Sequence, residues 1–174
     1  MDAGEEARLH DLIGAVRDGS LDGLGELYRR HATMVHSVAL RLLGSGEDAD
    51  DVVQDVCVGL PRALRTYQER GRFEAWLKQL AVRTALMRLR SQRRRREDAL
   101  DAADGAAAPE AHPVERLAIQ RAIAALPDSL RVVFVLREVE GYSHAEIAAM
   151  LGITAINSAT RLSRAWTTLR REGR

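Results

Sequence analysis

Along nearly the whole chain, apolar residues recur at the three-and-four spacing of amphipathic helices. Leu9, Leu12, Ile13 and Val16 share one side of a first helix predicted over residues 5–18. Ser20 or Asp22 stands as N-cap to a second, through Leu24, Leu27, Tyr28 and His31. A third, more apolar, carries Met34, Val35, Val38, Ala39, Leu42 and Leu43 and stops at Gly44-Ser45-Gly46. Val52, Val53 and Val56 mark the next, which opens with the carboxylates Glu47, Asp48, Asp50 and Asp51. Acids there suit the positive end of a helix. A proline inside a helix costs about 3 kcal/mol, so a break or kink is expected near Gly59–Pro61. Thr66 to Arg72 reads as a loop pivoting on Gly71. Phe73, Trp76, Leu77, Leu80, Ala81, Ala85 and Leu89 then define a long helix.

The pattern lapses over Glu97 to Pro113, which is rich in Ala, Asp and Pro, acidic, and almost without large apolar residues. Such a stretch cannot bury a core and reads as a linker between two domains. Periodicity resumes from Val114 to Ala125, bounded by Leu126-Pro127. Asp128 starts a further helix, with Leu130, Val132, Val133, Val135 and Leu136 inward, and Gly141 ends it.

The segment from Gly141 to Arg171 has the clearest punctuation. Ser143 followed by Glu146 forms a capping box. Ile147, Ala148 and Leu151 share a face, Gly152 suits a left-handed stop, and Ile153 returns to the core. Thr154 caps a second helix with Leu162 and Ala165 inward and Thr160, Arg161, Ser163 and Arg164 outward. A short helix, a glycine turn and a longer helix with arginines on its free face form a helix-turn-helix. That unit lays its second helix in the DNA major groove. By itself the segment also fits an ordinary αα-hairpin.

Composition agrees with an all-α protein: 174 residues, 46% hydrophobic and 4% aromatic. No apolar run reaches the roughly 18 residues of a membrane span. The acidic start, MDAGEEARLH, lacks a signal-peptide core, so a cytoplasmic location is expected. Cys57 is the single cysteine, which excludes an internal disulfide and a thiolate zinc cluster. His31 and His36 read as partly exposed helix residues, since no third metal ligand is in register. No Walker loop, metal triad or nucleophile–base constellation stands in the sequence, so neither an enzyme nor a cofactor is expected.

Charge changes the picture more than composition does. The net charge of +1 conceals −7 over residues 1–60, +10 over 61–96, −5 over 97–116 and +3 over 117–174. Blocks of opposite sign can serve different partners. In the basic block Lys78, Arg83, Arg88 and Arg90 stand on the polar side of the long helix, followed by the run Arg93 to Arg96. Phe73 and Trp76 are expected mostly in the core, with Tyr67 free in the loop to stack on a base. Arginines for phosphates beside rings for bases suit single-stranded nucleic acid, although a basic face can also be merely solvated. The acidic helix start fits either a solvated first turn or a docking face for a basic partner.

With both halves in view, the chain resembles a bacterial RNA polymerase sigma factor of the compact extracytoplasmic-function type. The resemblance rests on Gly25 to His31, Asp50 to Val56, Phe73 to Leu77, Leu126-Pro127, and Tyr142 to Leu151 with Gly152-Ile153. It implies a sigma2-like domain over 1–96, a linker over 97–113 and a sigma4-like helix-turn-helix domain over 114–174. Asp50, Asp51, Gln54 and Asp55 would dock on the β′ clamp helices of core RNA polymerase. Arg65, Thr66 and Tyr67, in the loop running to Arg72, would capture a flipped base of the −10 element. Trp76, Lys78, Arg83, Met87, Arg88 and Arg90 would hold the melted strand. Ser143, Thr154, Asn157, Thr160, Arg161, Ser163 and Arg164 would meet promoter DNA at the −35 element. The second domain would also sit on the β flap, the linker would thread toward the RNA exit path, and an anti-sigma factor would mask these surfaces.

Four positions depart from the family pattern besides Pro61. Ser158 stands where valine is usual, and a buried hydroxyl there is expected to bond back to the Thr154 carbonyl. Ala159 replaces a usual lysine or arginine and removes a DNA contact; Ile156 and Asn157 are also unusual in that turn. The competing reading is a stand-alone helix-turn-helix regulator whose first domain senses or dimerises. Co-purification with core polymerase separates the two.

Overall fold

The computed structural model describes residues 3–68, 73–100 and 116–172. Among these the regular structure is entirely helical. The helices are α1 (Ala3–Arg17), α2 (Leu21–Leu43), α3 (Gly46–Leu64), α4 (Phe73–Leu100), α5 (Arg116–Ala125), α6 (Asp128–Phe134), α7 (His144–Leu151) and α8 (Ala155–Glu172). A single π-helical turn, Val135–Val139, extends α6. Backbone contacts divide the chain into two compact units: Met1–Leu40 with Gly46–Asp101, and Arg41–Ser45 with Ala102–Arg174. The expected tip of the basic loop, including Gly71, and most of the expected linker lie outside the described residues.

In the first unit α1 and α4 both pack on α3. The core is a wall of branched aliphatics: Ile13 and Val16 from α1, Leu27, Val35 and Val38 from α2, Val52, Val56, Leu60 and Leu64 from α3. From α4, Phe73, Leu77, Ala81, Val82, Ala85 and Leu86 close it. Ala81 and Ala85 are wholly buried on α4, which packs on α3. The Ser20 hydroxyl accepts the Gly23 N–H at 3.1 Å and so caps α2.

Two expectations for this unit are corrected. The second and third predicted helices are one continuous α2, because Ala32-Thr33 contains no residue able to stop a helix. The helix also does not break at Pro61: α3 runs through it to Leu64. Proline removes one N–H and crowds one carbonyl. Here it sits in the last turn, where the chain is already tightening into i+3 bonds, Arg65 N–H to Arg62 O and Thr66 N–H to Ala63 O.

In the second unit α8 packs against α5, α6 and α7. Ile123, Leu126, Val132, Val133, Phe134, Val135, Leu136, Ile147 and Ala165 are buried, and Trp166 meets Phe134 edge-on at 5.2 Å. The π turn closes through Glu140 N–H to Val135 O, and Gly141, at φ 79°, reverses the chain.

Candidate polymerase and nucleic-acid interfaces

Half a revolution of α3 separates a buried side from an exposed one. Ala49, Val52, Val53, Val56, Leu60 and Leu64 face inward. On the opposite side Asp50, Gln54 and Asp55 are exposed and Asp51 is half-exposed. This is an anionic strip held on a buried, branched-aliphatic back. Asp50 lies 3.4 Å from His36 Nε2. Val58, 75% exposed, continues the strip one turn on. The sequence reading missed it, although its three- and four-residue steps from Asp55 and Gln54 were there to be counted.

Asp51 has a second engagement that sequence could not display. Arg88 on α4 donates through Nε to Asp48 at 3.0 Å and through Nη2 to Asp51, and Gln92 donates to the same Asp48 oxygen at 2.5 Å. Arg88 is therefore turned to α3, not away from the core as its place among the strand-holding residues implied. Lys78 is exposed too, but two residues past Trp76 and so more than half a turn round the helix. Trp76, Arg83, Met87 and Arg90 remain, close to one line along α4. Arg83 and Arg90 are exposed, Met87 is 67% exposed and Trp76 is half-buried. Arg94 extends the line.

Tyr67 is corrected too. Its ring is 8% exposed, not free. It lies tilted at 44° against Trp76, with centroids 4.7 Å apart, and meets Phe73 edge-on at 5.6 Å, and His31 and Phe73 form a further edge-on pair at 5.3 Å. An aromatic beside a helix start with two further rings one turn apart finds more apolar area inside than on the surface. Arg17 at the end of α1 fixes this corner by donating to the carbonyls of Leu64 at 3.0 Å and Tyr67 at 2.6 Å. Nothing in the pattern of α1 singled Arg17 out. Arg65 and Thr66, beside it, are exposed, with the Thr66 hydroxyl bonded back to Ala63 O.

Burial raises the energy of a charged imidazole, and it lowers the His31 pKa below the usual 6.5. The ring's buried Nε2 has no hydrogen-bond partner. Burial likewise pushes the Cys57 thiol up. Among the described residues, no group of His, Cys, Asp or Glu could hold a metal.

The helix-turn-helix is built as its punctuation dictates. The Ser143 hydroxyl accepts the Glu146 N–H at 3.3 Å and donates to the Glu146 carboxylate, which also accepts the Ser143 N–H at 2.8 Å. These bonds hold the Glu146 pKa below its ordinary value. Ser143 is thus half-buried and engaged in its own capping box. Gly152, at φ 66°, stops α7, and the Thr154 hydroxyl accepts the Asn157 N–H at 3.1 Å to start α8. Thr154, Asn157, Thr160, Ser163 and Arg164 are exposed and Arg161 is half-exposed.

Ser158 is fully buried, but its hydroxyl does not bond back along its own helix. It meets His144 Nδ1 at 2.9 Å, tying α8 to the first residue of α7. The Thr154 carbonyl already accepts the Ser158 N–H at 3.0 Å, and His144 offers the hydroxyl an otherwise unused partner.

A family model for sigma-70 region 2 matches residues 27–95, and one for sigma-70 region 4 matches residues 116–169. The chain is 31% identical over 159 residues to the ECF RNA polymerase sigma factor SigM of Mycobacterium tuberculosis, covering 89% of this chain and 79% of SigM. It is 34% identical over 147 residues to the ECF RNA polymerase sigma factor SigE of Mycolicibacterium smegmatis, covering 80% of this chain and spanning 57% of SigE. In fold it is similar to the sigma factor RpoE of Bartonella quintana, solved in complex with the anti-sigma factor NepR. There the TM-score is 0.58 at 18% identity, over 85% of this chain and 94% of that one.

Proposed function

The chain belongs to the extracytoplasmic-function group of the sigma-70 family, and we propose that it directs core RNA polymerase to specific promoters and nucleates their melting. The observation that carries this reading is the segregation of surfaces. An open anionic strip on α3 and an open basic strip on α4 lie on one core, and a capped helix-turn-helix forms in a separate unit.

The division of labour follows from the side chains. Gln54, Asp55, Asp50 and the open side of Asp51 suit a basic surface on the polymerase, here the clamp helices of β′. Arg83 and Arg90 suit phosphates of a melted strand, while the half-buried Trp76 ring and the flexible Met87 thioether offer apolar area to unstacked bases. Stacking of that kind is worth about 1–3 kcal/mol per base, comparable with the few kcal/mol needed to unstack one. A protein with one such strip traps bases that polymerase exposes and performs no reaction of its own. Arg65 and Thr66, exposed just before Tyr67, whose ring meets Trp76 of that strip, would meet the first flipped base. In α8, Asn157, Thr160, Arg161, Ser163 and Arg164 meet the upstream element.

The functional divisions are 1–96 for docking and strand capture, 97–113 for the linker, and 114–174 for duplex reading and flap contact. An anti-sigma partner covering these surfaces in the cytoplasm completes the proposal. Run-off transcription with core polymerase from the same organism on its genomic fragments tests it. Discrete transcripts that require this chain are expected; identical transcript sets with and without it would overturn the proposal.

A further inference from the structure

The recognition helix has an unusual outward face. Ser158 and Ala165 of α8 are fully buried. Diametrically opposite stand Ile156, Thr160, Ser163 and Thr167, at steps of four, three and four, all exposed. Two of the three hydroxyls on this line are occupied: Thr160 donates to Ile156 O at 2.9 Å and Thr167 donates to Ser163 O at 3.0 Å. Their protons are committed inside the helix, so these threonines offer a partner a methyl and an acceptor lone pair. Ile156, in the first turn, is 80% exposed, and exposed Ala159 lies beside it. The outward line at the tip of α8 is therefore apolar, with exposed Asn157 about a quarter-turn to its side, while the cations, Arg161 and Arg164, begin a turn later.

Residues at the start of a major-groove helix are those that reach base edges. The apolar group that the major groove displays on its bases is the thymine C5-methyl. We propose that Ile156, supported by Ala159 and the Thr160 methyl, is a specificity-determining residue that reads thymine methyl groups in the upstream promoter element. This rests on the reading of α8 as the helix that meets that element. Arg161 and Arg164 then supply phosphate or guanine contacts farther along, and sequence preference at the bases facing Ile156 comes from fit to a methyl.

The probe is a promoter library randomised over the upstream element and selected by wild-type holoenzyme, followed by the winning duplex remade with deoxyuridine at each upstream thymine in turn. Thymine should be enriched at one or two positions. Replacing it there by deoxyuridine, which removes only the methyl, should weaken holoenzyme binding about three- to fivefold. Ile156→Ala should cost a similar factor on the thymine duplex and abolish the thymine-over-uracil difference; Ile156→Val should keep most of it. Because Ile156 is exposed, Ile156→Ala opens no cavity, and an unchanged melting curve verifies this. Equal binding of thymine and deoxyuridine duplexes, or a difference that survives Ile156→Ala, overturns the inference. Scrambling the whole upstream element separates the two levels. If scrambling costs affinity but deoxyuridine does not, the methyl contact alone falls; if scrambling costs nothing, α8 does not read that element and both fall.

Discussion

His31 shows how one buried polar atom sets a pH dependence. Its folded-state pKa lies below 6.5, so between that lower value and about 6.5 the unfolded chain binds more protons. Stability of the first unit should rise with pH through this window and be lost on acidification. Thermal unfolding followed by Trp76 fluorescence, in a Trp166→Phe background, should show the midpoint climbing from pH 5 to pH 7, and His31→Leu should flatten the climb. A second residue-scale expectation concerns Ser158. Ser158→Ala leaves His144 Nδ1 without its protein partner and should destabilise the second unit by about 1–2 kcal/mol. Fluorescence-detected denaturation of Trp166 in a Trp76→Phe background measures this. DNA affinity should not change once the variant is folded, because Ser158 is wholly buried. The capping roles of Ser143, Glu146, Thr154 and Gly152 were legible in sequence because each bond joins residues at most four apart. The partners of Ser158, Tyr67 and Arg17 were not, because each is chosen by how helices pack.

At the scale of elements, α3 and α4 are joined by more than apolar contact. Arg88 bridges Asp48 and Asp51, so the helix read as docking surface and the helix read as strand holder share an ionic tie. Helical period placed Asp50, Gln54 and Asp55 of α3, and Arg83 and Arg90 of α4, on exposed sides, as they are. It could not say which arginine of the basic helix turns toward carboxylates 37 and 40 residues earlier. The tie predicts different outcomes for two neighbouring arginines. Arg88→Ala should lower stability by about 1–2 kcal/mol, a figure discounted for partial exposure, and leave the salt dependence of strand binding nearly intact. Arg83→Ala should leave stability unchanged and reduce the slope of log affinity against log salt by about 0.7, the value for one phosphate of a single strand. Titration of holoenzyme with a fluorescent promoter strand at several salt concentrations distinguishes them. The continuity of α2 and of α3 through Pro61 teaches a related lesson. A proline costs a helix one hydrogen bond without necessarily ending it, and α3 continues past Pro61 to Leu64.

For the whole molecule, the two-unit, all-helical organisation was readable from hydrophobic period and from the lapse of pattern after residue 96. The helix α4 itself continues to Leu100, into what was expected to be linker. That four-residue excess reflects the good helix propensity of Glu97, Ala99 and Leu100, which carry no stop signal. Separate surfaces imply separable losses. Asp55 is exposed on α3 and acts on Arg88 only through space, without a hydrogen bond to it, so Asp55→Arg should reduce affinity for core polymerase while the fold and the duplex contacts of α8 remain. Asp51→Arg is a poorer probe, because it also faces a second guanidinium.

The most direct test is permanganate reactivity of thymines in the downstream element of a promoter taken from the run-off transcripts, measured with the chain alone, with core polymerase alone and with both. Reactive, unpaired thymines should appear only with both, and should fade in a Trp76→Ala, Met87→Ala double variant that still binds core. Melting by the chain without polymerase, or full melting by the double variant, would contradict the account.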